Sequence, residues 1–295
     1  MIANDNISRP PVARPAAPSV EAWSGKDRGD ENFPVGSILI RPRLRRHIHA
    51  FYAFARNADD IADSPTLPEA DKIARLDTME AVLLGQADPA LAPSAAALRA
   101  SLAETGVTDR HARDLLIAFR RDASKRRYAS WEELHDYCRY SAMPVGRHVL
   151  DLHGEGRNTW GASDALCVSL QVLNHLQDCA RDLAALDRCY LPQSLLESYG
   201  ARVEDLRAGR TSPQMRAVLD ALLAMCVSLN RHADALPLRT RSWRLKLETG
   251  MIVGLAKRLR RRLKRGDPLR RRVKLRPTDV LIAAVFTLRY IRIHR

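Results

Sequence analysis

Two clusters of oxygen-bearing side chains stand out by their spacing. In Arg56-Asn-Ala-Asp-Asp-Ile-Ala-Asp63, the residues Arg56, Asp59, Asp60 and Asp63 fall at i, i+3, i+4 and i+7. On a helix, one face then presents a guanidinium and three carboxylates within about two turns. Like charges along one stripe destabilise a helix by about 0.2–0.5 kcal/mol per pair. A hard divalent cation relieves that repulsion, because Mg²⁺ takes oxygen ligands and is commonly held by one or two carboxylates plus substrate phosphate. A solvated acidic helix end has the same pattern, although Phe51, Tyr52 and Phe54 beside the acids describe a helix packed into a pocket. In the second cluster, Gln171, Asn174, Asp178 and Asp182 follow i, i+3, i+7 and i+11 among the apolar Leu166, Val168, Leu170, Val172, Leu173 and Leu176. Amides and carboxylates on an otherwise apolar helix cost desolvation free energy unless they are paired or bind metal. Taken alone, this cluster reads sooner as a buried polar network between helices. One joint explanation serves both stripes: they face each other across a cavity and hold metal ions that bind one diphosphate.

Positioning such stripes takes helices, and the chain is rich in helical patterns. Pro42 opens a segment with apolar residues at 44, 48, 51, 55, 58 and 62, which Ser64-Pro65 ends. Further helical patterns run through about 69–84, 94–104, 109–121, 131–153, 163–184, 192–198, 213–235 and 243–264. No alternating strand pattern of useful length and no internal repeat are visible. The fold class expected is all-α. Five of the 16 Pro fall in the first 34 residues, and residues 1–30 read as a disordered, polyproline-like tail. The helical domain is expected over 31–265, followed by a basic and apolar C-terminal segment over 266–295.

With 295 residues, 46% of them hydrophobic, the chain can bury a sizeable core. The formal net charge of +14 implies an anionic partner. Five Cys with no C-x-x-C pair suit reduced thiols in a cytoplasm, and the N-terminus shows no apolar signal-peptide region. His47 and His49 lie on different sides of a helix with no third ligand nearby, so they do not read as a zinc site. Cys138 and Cys179 have no companion base and read as packing. Lys257–Arg265 continues a helix whose Ile252, Leu255, Leu259 and Leu263 form one stripe, and Arg270–Arg276 follows. An RNA-binding arm, a solvated face and an anchor on anionic lipid all fit this pattern, and the apolar run that follows it favours lipid. The apolar run Val280–Leu288 is nine residues, against the roughly 18–20 that a spanning helix needs. It is too short to cross a bilayer but long enough to lie on one.

The chain resembles the squalene and phytoene synthases, whose two aspartate-rich motifs face each other on helices of one all-α, isoprenoid-synthase-type domain. The resemblance runs from about Glu31 to at least Pro192. It rests on Phe51–Asp63, Tyr137-Cys138, Val145-Gly146, Gln171–Asn174, Asp178–Asp182 and Arg188-Cys-Tyr-Leu-Pro192, in the family's order and spacing. Within the family, Glu31-Asn-Phe-Pro-Val35, Arg127-Tyr-Ala129, Ser141-Ala142, Pro144-Val-Gly-Arg147 and Leu176-Gln-Asp178 look most like the hopanoid-pathway hydroxysqualene synthases. Those enzymes take presqualene diphosphate and water to hydroxysqualene and diphosphate. The resemblance implies Mg²⁺ without NADPH, with Asp59, Asp63, Asp178 and Asp182 as metal ligands or their water-bridged partners and Asp60 in support. It implies diphosphate contacts from Arg56 and Arg188, and a reacting centre lined by Tyr137, Tyr190, Gln171 and Asn174. Tyr128 reads either as part of that centre or as core.

Four positions depart from the family's pattern: Asn32, Met143, Gln177 and Arg181. Gln177 stands where an Arg usually precedes the motif's first Asp. Losing that guanidinium removes a charge-assisted diphosphate contact and favours one diphosphate over two. The partners expected are presqualene diphosphate, an anionic membrane surface and other hopanoid-pathway enzymes, with no nucleic acid. The location expected is the cytoplasm, peripheral on the inner face of its membrane. Condensation of two prenyl diphosphates to presqualene diphosphate, squalene or phytoene is the enzymatic alternative. A basic helical membrane- or RNA-binding module is the non-enzymatic one.

Overall fold

The structure is a computed structural model that describes residues 19–21 and 40–290. The domain's expected start at residue 31 and Asn32 lie outside the described residues, as does the expected tail apart from residues 19–21. These three are not disordered, since Val20 N donates to the Leu91 carbonyl at 2.8 Å and Glu21 Oε1 accepts from Ser94 N at 2.8 Å. Proline punctuates the chain. It lacks the amide hydrogen that a helix's first turn leaves unbonded, so it sits in that turn at no cost. Pro42, Pro93 and Pro213 do so in α1 (Pro42–Ala62), α3 (Pro93–Thr105) and α9 (Pro213–Ala233). With α2 (Glu69–Leu83) and α4 (Arg110–Ser124), the first four helices enclose a core of Phe54, Ile61, Leu76, Met79, Leu98 and Leu116.

The pattern read as one helix over 131–153 is two, α5 (Trp131–Ser141) and α6 (Met143–Leu152). The break comes at Ala142, with φ −126° and ψ −48°. Pro144 explains it, since its ring and missing N–H would interrupt a continuous helix. The second half of the molecule is built around α7 (Trp160–Leu186), a 27-residue helix. Its Val168, Val172, Leu173 and Leu176 join a core with Leu219, Leu222 and Leu223 of α9 and Val253, Ala256 and Leu259 of α11 (Trp243–Arg265). The short α8 (Gln193–Ser198) and α10 (Ala235–Arg239) complete this half. Among the described residues there is no strand. One isolated bridge, Arg127 with Cys189, ties the turn after α4 to the turn after α7. Hydrogen bonds from Cys189 N to the Arg126 carbonyl (2.9 Å) and from Gln193 N to the Tyr128 carbonyl (2.9 Å) reinforce it.

Beyond α11 the chain returns along it as α12 (Pro277–Leu288). The two helices run antiparallel, with Gly250 against Thr287 and Tyr290, Gly254 against Ala283, and Arg258 and Arg262 against the buried Asp279. The stripe of α11 that suggested a surface anchor is not available for one, because Leu255, Leu259 and Leu263 are buried. No helix among the described residues is long and apolar enough to cross a membrane. A Cβ at Gly254 would lie 2.9 Å from Ala283 Cβ and 3.1 Å from its backbone Cα, so Gly254→Val must push α12 away, at a cost of about 1–3 kcal/mol. A lowered melting temperature and faster proteolysis within 266–276 are expected, and wild-type values for both would contradict this helix contact.

Candidate active site

The last turn of α1 carries Asp59 and Asp60, and Asp63 caps its end. Carboxylates there face the negative end of the helix dipole as well as one another. Arg56 compensates in part, with Nη1 3.3 Å from Asp59 Oδ2 and Nε 3.3 Å from Asp60 Oδ1. On α7, Gln171, Asn174, Asp178 and Asp182 fall on one face, with Gln171, Asn174 and Asp182 half-buried and Asp178 buried. The helix ends at Asp187, whose φ of 51° is the left-handed conformation that Asp tolerates better than most residues. Arg127 holds the Asp187 carboxylate at 2.7 Å. The reversal turns Arg188 back under α7, where its amide donates to the Asp182 carbonyl at 3.2 Å.

Arg188 is buried, 3% exposed, and joins three parts of the fold. Its Nη1 donates to Asp63 Oδ1 at 2.9 Å and to Tyr190 Oη at 3.1 Å, and its Nη2 donates to the Asp122 carbonyl at 2.7 Å. Asp122, near the end of α4, receives Tyr137 Oη at 2.6 Å and Tyr190 Oη at 3.1 Å. Around this network the rings of Tyr128, Tyr137 and Tyr190 lie with centroids 5.3–5.5 Å apart. His175 stacks on Tyr190 at 3.6 Å. Its buried Nε2 has no hydrogen-bond partner in the structure, and burial, then the charge of Arg188, lowers its pKa to about 3. The imidazole is therefore neutral and has one acceptor nitrogen to offer.

The electrostatics show a site short of positive charge. Burial raises the Asp182 carboxyl to about 7, with Asp178 and Asp63 adding to the rise and Arg181 and Arg188 opposing it. Burial raises Asp122 to about 6 against the pull of Arg188 and the Tyr137 hydrogen bond. Asp59 is pushed well up by desolvation and then by Asp63, with Arg56 opposing, even though 36% of its side chain is open to solvent. Asp63 acts on both Asp59 and Asp182, so the two stripes are electrostatic neighbours, as their spacing suggested. Among the described residues no three His, Cys, Asp or Glu side chains converge into a ready-made cation site. Facing carboxylates with raised pKa values nevertheless suit a cation that takes one or two carboxylates and completes its shell with substrate phosphate.

Asp178 is engaged elsewhere. Arg272, in the segment between α11 and α12, holds it in a fork, Nε to Oδ1 at 2.7 Å and Nη2 to Oδ2 at 2.9 Å, and Arg181 adds a contact at 3.0 Å. Gln177 donates to the Val273 carbonyl at 2.5 Å and pins the same segment. A guanidinium is thus present beside Asp178, supplied from residue 272 rather than 177. The inference that Gln177 leaves the site one positive charge poorer, and so suited to one diphosphate only, does not hold.

Three residues of this constellation were missed in the sequence. Asp122 left a signal, since it falls on the buried face of α4 with Leu115, Leu116 and Phe119, where a carboxylate must be paired. Arg272 left none, lying 94 residues from its partner. His175 sat in plain view beside Asn174, but nothing in the pattern set it apart from a core histidine.

A carboxyl whose pKa is raised from 3.8 to about 7 by folding stabilises the folded state in its protonated form. That contribution is lost as pH rises through this window. Relative to wild type, Asp182→Asn should therefore gain stability in metal-free urea titrations as pH goes from 5 to 8. A divalent cation held against Asp182 would have to displace that proton, so calorimetry with Mg²⁺ in buffers of differing ionisation enthalpy should show proton release on binding near pH 6.5, vanishing near pH 8.5. Binding without proton release at pH 6.5 would remove Asp182 from the cation's neighbourhood.

Comparison with known proteins agrees with this geometry. The squalene/phytoene synthase family model matches residues 26–279. The chain is 49% identical over 264 residues to the hydroxysqualene synthase of Rhodopseudomonas palustris, covering 90% of each chain. It is 43% identical over 260 residues to that of Zymomonas mobilis, covering 88% of this chain and 87% of the relative. Its fold is similar to the crystal structure of squalene synthase HpnC from Alicyclobacillus acidocaldarius, with a TM-score of 0.69 and 32% identity over 78% of this chain and 87% of that one. A dehydrosqualene synthase structure, at 20% identity, matches in fold with a TM-score of 0.73 over 90% of this chain. With its two acidic stripes joined through Arg188 and a family match that spans most of its length, the chain belongs to the squalene/phytoene synthase family.

Proposed function

We propose that the chain is a hydroxysqualene synthase, converting presqualene diphosphate and water to hydroxysqualene and diphosphate in hopanoid biosynthesis. The observation that carries this reading is 43–49% identity, over nearly nine-tenths or more of the chain, to enzymes of that name. The first chemical step breaks the carbon–oxygen bond to diphosphate and leaves a cyclopropylcarbinyl cation, which rearranges before water adds. Asp59, Asp63 and Asp182 would hold Mg²⁺, Asp178 joining when Arg272 releases it, and the ion supplies positive charge to the departing diphosphate. Arg188 offers a guanidinium that is already fixed, so it need not reorganise as negative charge develops. Arg56 stands at the rim of the same carboxylates. The π faces of Tyr137 and Tyr190 are suited to a carbocation, and their hydroxyls, tied to Asp122, are fixed in orientation. Gln171 and Asn174 complete the polar wall on α7.

Capture of the cation needs an ordered water and an acceptor for its proton. His175 supplies both functions: its neutral ring lies against Tyr190, and its Nε2 is buried and unpartnered. When water adds to the carbon, one O–H bond breaks and the proton goes to Nε2, from which it reaches the released diphosphate. No nicotinamide enters this balance, because the cation is quenched by oxygen rather than by hydride.

Condensation of two prenyl diphosphates is not argued against by charge, given Arg272, and the product decides. Purified protein with Mg²⁺ should convert presqualene diphosphate to hydroxysqualene without NADPH, with ¹⁸O in the hydroxyl when the solvent is H₂¹⁸O. Squalene formed only with NADPH, or presqualene diphosphate accumulating from farnesyl diphosphate, would overturn the assignment. His175→Phe should keep diphosphate release while lowering the ratio of alcohol to hydrocarbon on the order of tenfold or more, and His175→Gln should restore part of it. An unchanged ratio in both variants would exclude His175 from water capture.

A further inference from the structure

The inner face of α12 is fully used and its outer face is not. Ala283, Thr287 and Tyr290 are buried against Gly254 and Gly250. On the opposite side Leu281, Val285 and Leu288, at i, i+4 and i+7, are 67%, 62% and 54% exposed, with Val280 and Ile282 exposed beside them. The helix is clamped to the protein through Asp279, which is buried between Arg258 and Arg262. The apolar stripe is therefore displayed on a fixed support. Nine residues without a charge are too few to cross a bilayer.

At the N-terminal end of α12 lies a recess of about 1160 Å³, between the last turns of α11 and the segment 266–276, lined by eight arginines and one lysine against a single aspartate. That aspartate, Asp267, is occupied by the hydroxyl and amide of Thr211. Arg258 and Arg262 are neutralised by Asp279, and Arg272 by Asp178. Arg261, Arg265, Arg270, Arg271, Lys274 and Arg276 remain, all exposed and with no carboxylate in ion-pair contact among the described residues. Arg276 directly precedes Pro277, so the basic rim and the apolar stripe are continuous.

We propose that this arginine-lined recess and the exposed face of α12 together form a docking surface for an anionic phospholipid bilayer. The recess takes lipid phosphates at headgroup depth, and Leu281, Val285 and Leu288 enter the acyl boundary, as amphipathic interfacial helices do. Nucleic acid would use the cations and leave five apolar side chains in water. A second copy of the chain would bring two recesses of like charge together. The docking also has a consequence for the active site, which rests on the substrate class proposed above. Arg272 lines the recess and ends on Asp178, so a docked molecule presents the diphosphate end of its site at the membrane surface, where a long-chain prenyl diphosphate resides.

The test uses the full chain, sedimented with vesicles of phosphatidylcholine alone or mixed with phosphatidylglycerol. One variant carries Leu281→Glu, Val285→Glu and Leu288→Glu. A second carries Arg261→Gln, Arg265→Gln, Arg270→Gln, Arg271→Gln and Lys274→Gln. None of these residues is part of the active site. Wild type should bind the anionic vesicles at least about tenfold better than neutral ones, less so in high salt. Each variant should lose about tenfold in binding while keeping its circular-dichroism spectrum and its turnover of detergent-dispersed substrate. Binding that ignores salt and both variants would overturn the proposal. So would wild type that binds RNA but not vesicles, or a solution dimer that the α12 variant converts to monomer.

Discussion

The Arg188 guanidinium is the interaction on which the rest of the site depends. It reaches Asp63 at the end of α1, the backbone of Asp122 on α4 and the hydroxyl of Tyr190 at once. Its own position is set by the left-handed turn that ends α7. Two helices carrying like charge have no reason to meet unless something cationic lies between them. Once buried, such a guanidinium cannot lose a partner cheaply, since breaking a buried ion pair costs about 3–5 kcal/mol. The halves of the molecule have largely separate cores, one around α1 to α4 and one around α7, α9 and α11. Arg188 links them at the candidate site.

The arginines around the site do not balance its carboxylates. Asp59 and Asp182 are left with raised pKa values because Arg56, Arg181 and Arg188 do not fully offset burial and mutual repulsion. The imbalance is what the proposed function calls for, since divalent cations bound there would supply the missing positive charge. Beside it, Tyr137 and Tyr190 are locked by Asp122, and the ring of His175, whose Nε2 has no partner, lies against both. The acidic stripes and the aromatic cluster are thus adjacent but chemically distinct walls, as the proposed charge separation and cation capture require.

Both acidic stripes were legible in the sequence because a helix converts spacing directly into a shared face. Most helices were legible for the same reason. The break at Ala142 was written in Pro144 but was overridden by the apolar periodicity on either side. The stripe on α11 was misread because an amphipathic helix facing a protein core and one facing a membrane have the same pattern, and only the position of α12 separates them. The role of Arg272 was not legible at all. It arises from a contact between α7 and a loop 94 residues away, and it reverses the conclusion drawn from Gln177 considered alone.

The most direct measure of the central linkage is a double-mutant cycle between Arg188→Met and Asp63→Asn, read as urea unfolding free energies of the metal-free protein near pH 7.5. If Arg188 holds the two stripes together through Asp63, the cycle should give a coupling energy of about 1–3 kcal/mol, and the double variant should be little less stable than Arg188→Met alone. Additive effects, with coupling inside the error of the measurement, would show that α1 and α7 are brought together by packing and that the ion pair is incidental.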